Sequence, residues 1–361
     1  MLDAAGRRAD GDEAGQDKQR AEAEQAERRV EAGQIEQRAE AVRRVEAERF
    51  RLEDGGGPGK ERVVLTCGSV GGETPELALH IVRGACPGPV LLLLSAVHGD
   101  EYEGVQTIIE LGRMLPPDDV NGTLVMVPVA NPCAYRAADR TSPEDGLNLA
   151  RVFPGSRTGS ATERLAWMIA RLIDRADFML DMHSGGTYYE VAEFVGYYHN
   201  DADAAGRRSR AAAEAFGYEV LWGHPFVAPG RTVSYATERG IPWLYTEAWG
   251  GRRVDRDEQQ RLRQGVFRLM AHLGMFAAPE RRVPAAPPPP VRLRLTGSGD
   301  FDGSVVSDVE GFFIPSVSLL AQVRKGDEIG VVYNVYGDAL RTFEAVGDGI
   351  VVGLAGSPVV R

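Results

Sequence analysis

The sequence predicts an α/β protein in which a mixed sheet is flanked by helices and followed by a small all-β domain. Between residues 61 and 280, short apolar segments alternate with longer segments typical of helices, which is the pattern of helices packed on a largely parallel or mixed sheet. After the proline-rich stretch 284–290, short strand-like segments are separated by turns that contain glycine and aspartate. This second pattern indicates an all-β unit of roughly 70 residues.

The chain is predicted to have four segments. Residues 1–55 are dominated by Ala, Glu, Arg, Gln and Asp, so they are expected to form a charged extension that is disordered or helical. Residues 56–280 form the α/β domain, residues 281–290 a stiff proline-rich linker, and residues 291–361 the small β domain. No heptad is sustained through the extension, so a coiled coil is only weakly supported.

Within the α/β domain, the apolar pattern predicts strands and helices that follow one another along the chain. The segment 90–97 is almost wholly apolar, as in a strand that is covered on both faces. The other predicted strands are 62–67, 78–83, 123–130, 178–182, 191–197 and 243–246. The predicted helices are 103–114, 162–176, 203–216 and 257–273.

Composition and charge restrict the class of protein. The net charge of −11 argues weakly against nucleic acid or an anionic membrane as a partner. The three cysteines, Cys67, Cys86 and Cys133, have no close spacing and are expected to be free thiols in a reducing compartment. Neither a signal peptide nor an apolar run of about 20 residues is found. A cytoplasmic protein is therefore expected, and homo-oligomerisation is left open.

Polar side chains follow three of the predicted apolar strands at the point where each strand ends. In open α/β sheets, ligands bind outside the carboxyl ends of the strands. Two histidines and one glutamate make a zinc shell of the catalytic type, which leaves a fourth position for water, and a further glutamate could take the proton of that water. The four residues are His98, Glu101, His183 and Glu247.

Each of these residues also has a structural interpretation. A histidine at a strand end is more often a hydrogen-bonded structural residue than a metal ligand. Glu101 could cap the helix that begins near residue 103, and Asp100 is expected to do so, because acidic side chains favour helix N-termini. Asp181 could orient His183 or a neighbouring backbone group. Three strand ends that carry a complementary set are nevertheless better explained by a metal site.

Five sequence motifs follow one another along the chain: "HGDE", "NPCAYRAADR", "DGLNLARVFPG", "DMHSGG" and "TEAWG". In their order and spacing, the chain resembles the succinylglutamate desuccinylase/aspartoacylase family over roughly residues 60 to 350. This family is related to the zinc carboxypeptidases. The resemblance implies a zinc-carboxypeptidase-like catalytic domain at 56–280, with the β domain beside the site, where it narrows the entrance. It also implies one zinc ion per chain, held by His98, Glu101 and His183, with Glu247 as general base and then proton donor.

The resemblance also assigns roles to polar residues of two loops. It implies that Arg140 polarises the scissile carbonyl and that Arg151, with Asn148, binds a substrate carboxylate. Arg140 could instead be a solvated loop residue, and Arg151 could pair with Asp145 or a helix end. Aspartoacylase-like members read Asp-Leu-Asn-Arg at the second loop, whereas this chain reads Asn-Leu-Ala-Arg. Ala150 therefore lacks the amide that normally helps to hold the carboxylate, which leaves the identity of the substrate open.

The activity that the resemblance implies is hydrolysis of a linear amide in a small N-acylated amino acid or related metabolite, such as an N-acetylated diamino acid. One alternative is a carboxypeptidase-like peptidase, which would use the same metal chemistry in an open groove. Another is a ligand-binding homologue that has lost catalysis. The β domain argues against the first alternative, and the intact metal and base residues argue against the second.

Overall fold

The protein is described by a computed structural model for residues 41–69, 74–285, 287–297, 299 and 304–360. The chain divides into two units, Met1–Val42 and Arg43–Arg361, and the fold described here is that of the second. Of the predicted charged extension, residues 1–40 lie outside the described residues. Within the described part of the chain, none of the helices has the length and apolar character needed to cross a membrane.

A large mixed sheet forms the centre of the second unit. In chain order, the first eleven strands are β1 (Val42–Glu46), β2 (Gly59–Thr66), β3 (Glu76–Arg83), β4 (Cys86–Ser95), β5 (Asn121–Val127), β6 (Phe178–Met182), β7 (Tyr189–Val191), β8 (Phe194–Tyr198), β9 (Val220–His224), β10 (Trp243–Glu247) and β11 (Leu293–Thr296). All of these except β7 belong to one ten-stranded sheet, in the order β1-β2-β3-β5-β4-β6-β10-β8-β9-β11. The central strands β5, β4, β6 and β10 run parallel to their neighbours in that series.

The described residues form six α-helices, five of which pack on the two faces of this sheet. The six helices are α1 (Glu103–Met114), α2 (Pro132–Ala137), α3 (Ala161–Ile173), α4 (Ala204–Phe216), α5 (Thr232–Glu238) and α6 (Arg256–His272). The apolar side chains of α1, α4 and α6 share one core, and those of α3 and α5 share the other. The predicted α/β class, with a mixed sheet between helical layers, is confirmed.

The central strand β4 explains why its sequence is apolar without alternation. Leu92 and Leu94 point into the core with α3, whereas Leu91 and Leu93 point into the core with α1. All four side chains are at most 1 % exposed. Since successive side chains of a strand face opposite sides, a strand with both faces covered needs apolar residues at every position.

The predicted helices correspond to α1, α3, α4 and α6, each with ends within three residues of the observed ones. The boundary of α3 is explained by a capping box, in which Ser160 and Glu163 each bond the other's backbone N–H. The short elements β9 and α5 were not predicted, because five and seven residues hold too little of a periodic pattern. Predicted strand 123–130 begins two residues late and runs past the observed end at Val127.

The prediction that residues 1–55 form one separate extension is wrong from residue 42 onward. The Ala47 N–H donates to the Thr66 carbonyl at 2.9 Å, and Arg43 pairs with Glu61. Ala47 and Phe50 are 4 % and 2 % exposed and belong to the core with α3. Sequence patterning misses this segment because a few isolated apolar residues in a charged stretch are enough to anchor an edge strand.

Phe50 provides a test of this boundary. The Phe50→Ala variant is expected to lose about 3–5 kcal/mol of unfolding free energy, the usual cost of truncating a buried phenylalanine. Chemical denaturation measures the loss, with Arg49→Ala as the control because Arg49 is exposed. If both variants unfold like the wild type, Phe50 does not anchor this segment to the core.

The C-terminal part of the chain is a small β region, as predicted. Its strands are β12 (Gly311–Pro315), β13 (Gln322–Val323), β14 (Glu328–Tyr333), β15 (Ala339–Glu344), β16 (Gly349–Ile350), β17 (Gly353–Ala355) and β18 (Val359–Val360). Four of them form a sheet in the order β15-β14-β12-β18, and β13 pairs with β16.

The predicted domain boundary at residue 291 is wrong. Strand β11 pairs in parallel with β9 and so completes the large sheet, although its residues fall in the predicted β domain. Strand β17 pairs with β7 of the α/β part. The proline-rich segment 281–290 leads from a short 3-10 turn at Pro279–Arg281 towards β11. It therefore connects two parts of one compact unit, because β11 and β17 both pair with the α/β part.

Candidate active site

The three strand ends that carry the predicted site residues lie side by side. Strands β4 and β6 pair in parallel, and so do β6 and β10, so their carboxyl ends lie at one edge of the sheet. The His183 N–H donates to the Thr246 carbonyl at 2.9 Å, which fixes His183 beside the end of β10. The geometry thus brings His98, His183 and Glu247 to one place.

The turn after β4 is shaped by unusual backbone geometry. Ala96 is buried and has a φ of 48°, in the left-handed region that non-glycine residues rarely occupy. A Cβ on Gly99 would lie 2.0 Å from the backbone of Ala134 in α2, so only glycine fits there. The Gly99 N–H donates to the Asp139 carbonyl at 2.9 Å. Backbone strain of this kind is found at functional sites, and here it lies two residues before His98.

Two histidines converge on one carboxylate at this edge. His98 Nδ1 lies 2.7 Å from Glu101 Oε1, and His183 Nδ1 lies 2.8 Å from Glu101 Oε2. The imidazole centroids are 5.2 Å apart, and the ligand atoms of the three residues all lie within 4.8 Å of one another. Among the described residues, this is the group of histidine, cysteine and acidic side chains that could hold a metal ion.

The hydrogen-bond pattern of the cluster supports a bound cation. His183 Nε2 lies 3.1 Å from Asp181 Oδ2, which fits an N–H donated to that carboxylate. A neutral His183 then presents the lone pair of Nδ1 to the Glu101 carboxylate, so this contact needs a proton or a cation between the two atoms. Two imidazole nitrogens and one carboxylate are ligands typical of zinc. The donor set therefore fits a divalent metal ion.

Charges in this site shift several pKa values. Burial lowers the pKa of His98. Burial also opposes protonation of His183, but Asp181 and Glu101 outweigh it and raise the pKa of His183 well above its usual range. Despite burial, the two histidines hold the pKa of Glu101 well below its usual range. Metal binding would have to displace the proton that these carboxylates favour on His183, so metal affinity should rise with pH.

Glu247 lies at the wall of the same cavity. Burial of its carboxyl raises its pKa to about 8. His183 and Arg140 oppose this shift, whereas the charges of Glu101 and Asp181 add to it. A carboxylate whose pKa is raised toward neutrality is suited to general acid–base chemistry.

The predicted arginines also face this cavity, but Asn148 does not. Arg140 Nη1 lies 3.4 Å from Glu101 Oε1, and its guanidinium lies 5.4 Å from the centre of the Tyr189 ring. Arg151 lines the cavity. The Asn148 carboxamide accepts the Ala150 N–H at 2.9 Å and so begins a 3-10 turn. The side chain of Asn148 thus stabilises the turn. A direct contact of Asn148 with substrate stays a prediction, which this geometry does not favour.

One cavity of about 100 Å³ joins these groups. It is lined by His98, Arg140, Ala150, Arg151, Asp181, His183, His224, Val227, Arg231, Thr232, Val233, Tyr245, Glu247 and Gly299. Sequence reasoning missed Arg231 and Thr232, which begin the unpredicted helix α5, and did not single out His224 as a site residue. The imidazole of His224 is bonded to Tyr245 and to the Gly297 carbonyl, so its position in the wall is fixed.

Two acidic residues next to the cluster were expected to have structural roles, and the expectation is wrong for Asp100 and agrees with the structure for Asp181. Asp100 does not cap α1; its carboxylate accepts the Thr187 N–H at 2.7 Å and so holds the loop after β6. The N-cap of α1 is Tyr102, which makes no side-chain capping bond. Asp181 does orient His183, as the structural interpretation proposed.

Comparisons with known proteins identify the family of the chain. The family model for the succinylglutamate desuccinylase/aspartoacylase catalytic domain matches residues 87–273. The chain is 32 % identical over 251 residues to an N-alpha-acetyl-L-2,4-diaminobutyric acid deacetylase of Halomonas elongata, covering 69 % of this chain and 71 % of that protein.

Solved structures show the same relationship. The product-bound ectoine utilization protein EutE (DoeB) from Ruegeria pomeroyi gives a TM-score of 0.75 at 27 % identity, over 87 % of this chain and 94 % of that one. A succinylglutamate desuccinylase/aspartoacylase from Rhodobacter sphaeroides gives 0.72 at 28 % identity, over 84 % and 93 % of the two chains. The chain therefore belongs to the succinylglutamate desuccinylase/aspartoacylase family of deacylases, as its motifs predicted.

Proposed function

We propose that the protein is a zinc-dependent hydrolase that cleaves the amide bond of a small N-acylated amino acid or related metabolite. The observation that carries this proposal is that His98 and His183 of the His98–Glu101–His183 cluster line one small cavity together with Glu247. An N-acetylated diamino acid is the substrate we favour, because the relative from Halomonas elongata is an N-alpha-acetyl-L-2,4-diaminobutyric acid deacetylase.

The three clustered side chains would hold one zinc ion per chain. When bound, zinc supplies Lewis-acid chemistry, since it polarises a carbonyl oxygen and lowers the pKa of water. Imidazole and carboxylate ligands suit zinc better than the harder ions calcium and magnesium, which prefer oxygen ligands alone.

Glu247 is assigned the proton transfers. Its carboxylate takes a proton from the attacking water and later gives it to the leaving nitrogen, so that the products are a carboxylic acid and a free amine. The residue must start deprotonated, and the raised pKa of about 8 would keep most of it protonated at neutral pH. A cation at the neighbouring cluster would lower that pKa, which would couple the base to metal occupancy.

The two arginines are assigned to charge stabilisation and binding. The Arg140 guanidinium would stabilise negative charge that develops on the carbonyl oxygen. Arg151 would bind a substrate carboxylate through two parallel hydrogen bonds. A cavity of about 100 Å³ suits a small metabolite better than a polypeptide, which supports a deacylase over the peptidase alternative.

The proposal is tested by hydrolysis with zinc-loaded protein. N-acetyl and N-succinyl amino acids, including Nα-acetyl-diaminobutyrate, are compared with short peptides, and release of free amine is measured. We expect cleavage of one or more N-acyl amino acids and little cleavage of peptides. Preferential cleavage of peptides would favour the peptidase, and zinc binding without any hydrolysis would favour a ligand-binding homologue.

Ala150 offers a test of substrate recognition. It lines the cavity next to Arg151, so Ala150→Asn would place an amide where related proteins carry one. We expect tighter binding of substrates with a free α-carboxylate by about 0.5–1.5 kcal/mol, seen mainly in KM. Ala150→Leu is the control, because leucine has a similar size but no amide. If the ratio of kcat/KM for the acid and its amide is the same in both variants, position 150 does not contact the carboxylate.

A further inference from the structure

A buried chain of hydrogen bonds connects helix α5 with the metal cluster. Thr232 Oγ1 donates to Asp181 Oδ2 at 2.5 Å, and the same Oδ2 atom lies 3.1 Å from His183 Nε2. Thr232 is 4 % exposed and Asp181 1 % exposed, so both groups interact away from solvent. The connection joins residues 51 positions apart in sequence.

Both donors meet on one oxygen of Asp181. The other oxygen, Oδ1, has no hydrogen-bond partner among the described residues. The orientation of the carboxylate therefore depends on its contacts with Thr232 and His183. If the hydroxyl is removed, His183 keeps an acceptor for Nε2–H, but that acceptor is free to rotate about its own side-chain torsion.

The hydroxyl of Thr232 is not needed to cap helix α5, so it can bond to Asp181. The N-cap position is Arg231, and its backbone N–H and carbonyl are both bonded by Ser234 Oγ at 2.9 Å. The first turn is thus closed by Ser234. Thr232 also lines the cavity, which places its side chain between the helix and the site.

The two histidines of the cluster differ in the partner of their Nε2 atom. His98 Nε2 is buried and has no hydrogen-bond partner among the described residues, whereas His183 Nε2 faces Asp181. Partners of a metal-bound histidine fix its tautomer and ring orientation. The orientation of His183 is therefore the one that a change at Thr232 can affect.

We propose that Thr232 is a positioning residue that acts through Asp181 to hold His183 in its metal-binding orientation. The inference rests on the proposed metal function of the cluster. The role of Thr232 is indirect: it neither binds the metal nor transfers a proton, and its effect appears in metal affinity. Loss of such a partner typically weakens metal binding about 10–100-fold.

The test measures zinc affinity by competition with a chromogenic chelator, without substrate. Thr232→Val keeps the shape of the side chain and removes the hydroxyl, so we expect about tenfold weaker zinc binding. Thr232→Ser keeps the hydroxyl and should bind zinc like the wild type. Thr246→Val is the matched control, because the buried hydroxyl of Thr246 has no hydrogen-bond partner among the described residues. Its contact with His183 is made by the backbone carbonyl, which valine keeps.

A second measurement separates positioning from a loss of folding. The visible spectrum of cobalt bound in place of zinc should change in Thr232→Val and stay unchanged in the serine and Thr246→Val variants. If the valine variant does not fold, Thr232→Ala replaces it. Adding Thr232→Val to an Asp181→Ala variant should weaken zinc binding no further, because the route to His183 is already broken.

The outcomes distinguish this inference from the proposed function. If the wild type binds zinc and folded Thr232→Val binds it equally tightly, the positioning role is wrong and the metal site stands. If Thr232→Ser is as weak as Thr232→Val, the hydroxyl is not the active group. If the wild type binds no zinc, the proposed function itself fails.

Discussion

Replacing Glu247 by glutamine is expected to lower kcat by about 10²–10⁴-fold while the metal content and the fold stay unchanged. The amide has nearly the shape of the carboxylate, but it cannot accept a proton from water, and general-base loss typically costs this much. Steady-state kinetics on the best N-acyl substrate, together with elemental analysis, measure the effect. Glu190→Gln is the control, since Glu190 lies on strand β7, outside the large sheet, and does not line the cavity.

The pH dependence of kcat/KM is a second test of Glu247 as the general base. A general base works only when deprotonated, so kcat/KM should fall as the pH drops below the pKa of Glu247. Burial raises that pKa above the ordinary glutamate value, so the fall should begin at higher pH than for an exposed glutamate. A cation lowers the pKa, so the acidic limb should lie below about 8 in the zinc-loaded enzyme. The assignment fails if the variant keeps wild-type kcat, or if its residual activity keeps the same acidic limb.

The core of the fold could be predicted because its residues carry strong local patterns. Leu91 to Leu94 must face two apolar cores, so the strand shows an unbroken apolar run that few other elements produce. Helices with a full amphipathic period, such as α3, were found for the same reason. The two edge strands of the sheet were not predicted. Strand β1 is anchored by single residues such as Phe50, and β11 joins the large sheet by pairing with β9, which its own sequence does not indicate.

The candidate site was also predictable only in part from the sequence. Polar residues directly after apolar strands are visible in sequence, and parallel pairing of β4, β6 and β10 is enough to bring them together. The contact between Thr232 and Asp181 joins positions 51 residues apart, through a helix too short to show a periodic pattern. The strained φ of Ala96 also has no local signal, since alanine is not a residue that favours positive φ.

Asn148 shows a limit of transferring roles by motif. Its place in the motif implied contact with substrate, but its carboxamide bonds the Ala150 N–H two residues later. Asparagine readily makes such local bonds to its own backbone, so its presence in a loop motif is explained by the turn alone. Arg151, which follows in the same turn, lines the cavity, and the carboxylate-binding role that the motif implied for it stays a prediction.

The substitution His183→Ala is expected to abolish stoichiometric zinc binding. It removes one of the three proposed protein ligands and leaves Glu101 and Asp181 without the imidazole that both contact. With two protein ligands left, zinc should dissociate during dialysis, and hydrolysis should fall to background. His272→Ala is the control, because His272 is an exposed histidine at the end of α6 that does not line the cavity.

Thermal unfolding distinguishes a lost ligand from a lost fold. A ligand that binds only the native state stabilises it by about 2.7 kcal/mol at a concentration of 100 Kd. Zinc should therefore raise the Tm of the wild type and of His272→Ala, and leave the Tm of His183→Ala unchanged. Without zinc, a cooperative transition in His183→Ala would show that the variant still folds. A variant that retains one zinc per chain by elemental analysis, or that zinc stabilises as strongly as the wild type, would exclude His183 from the metal site.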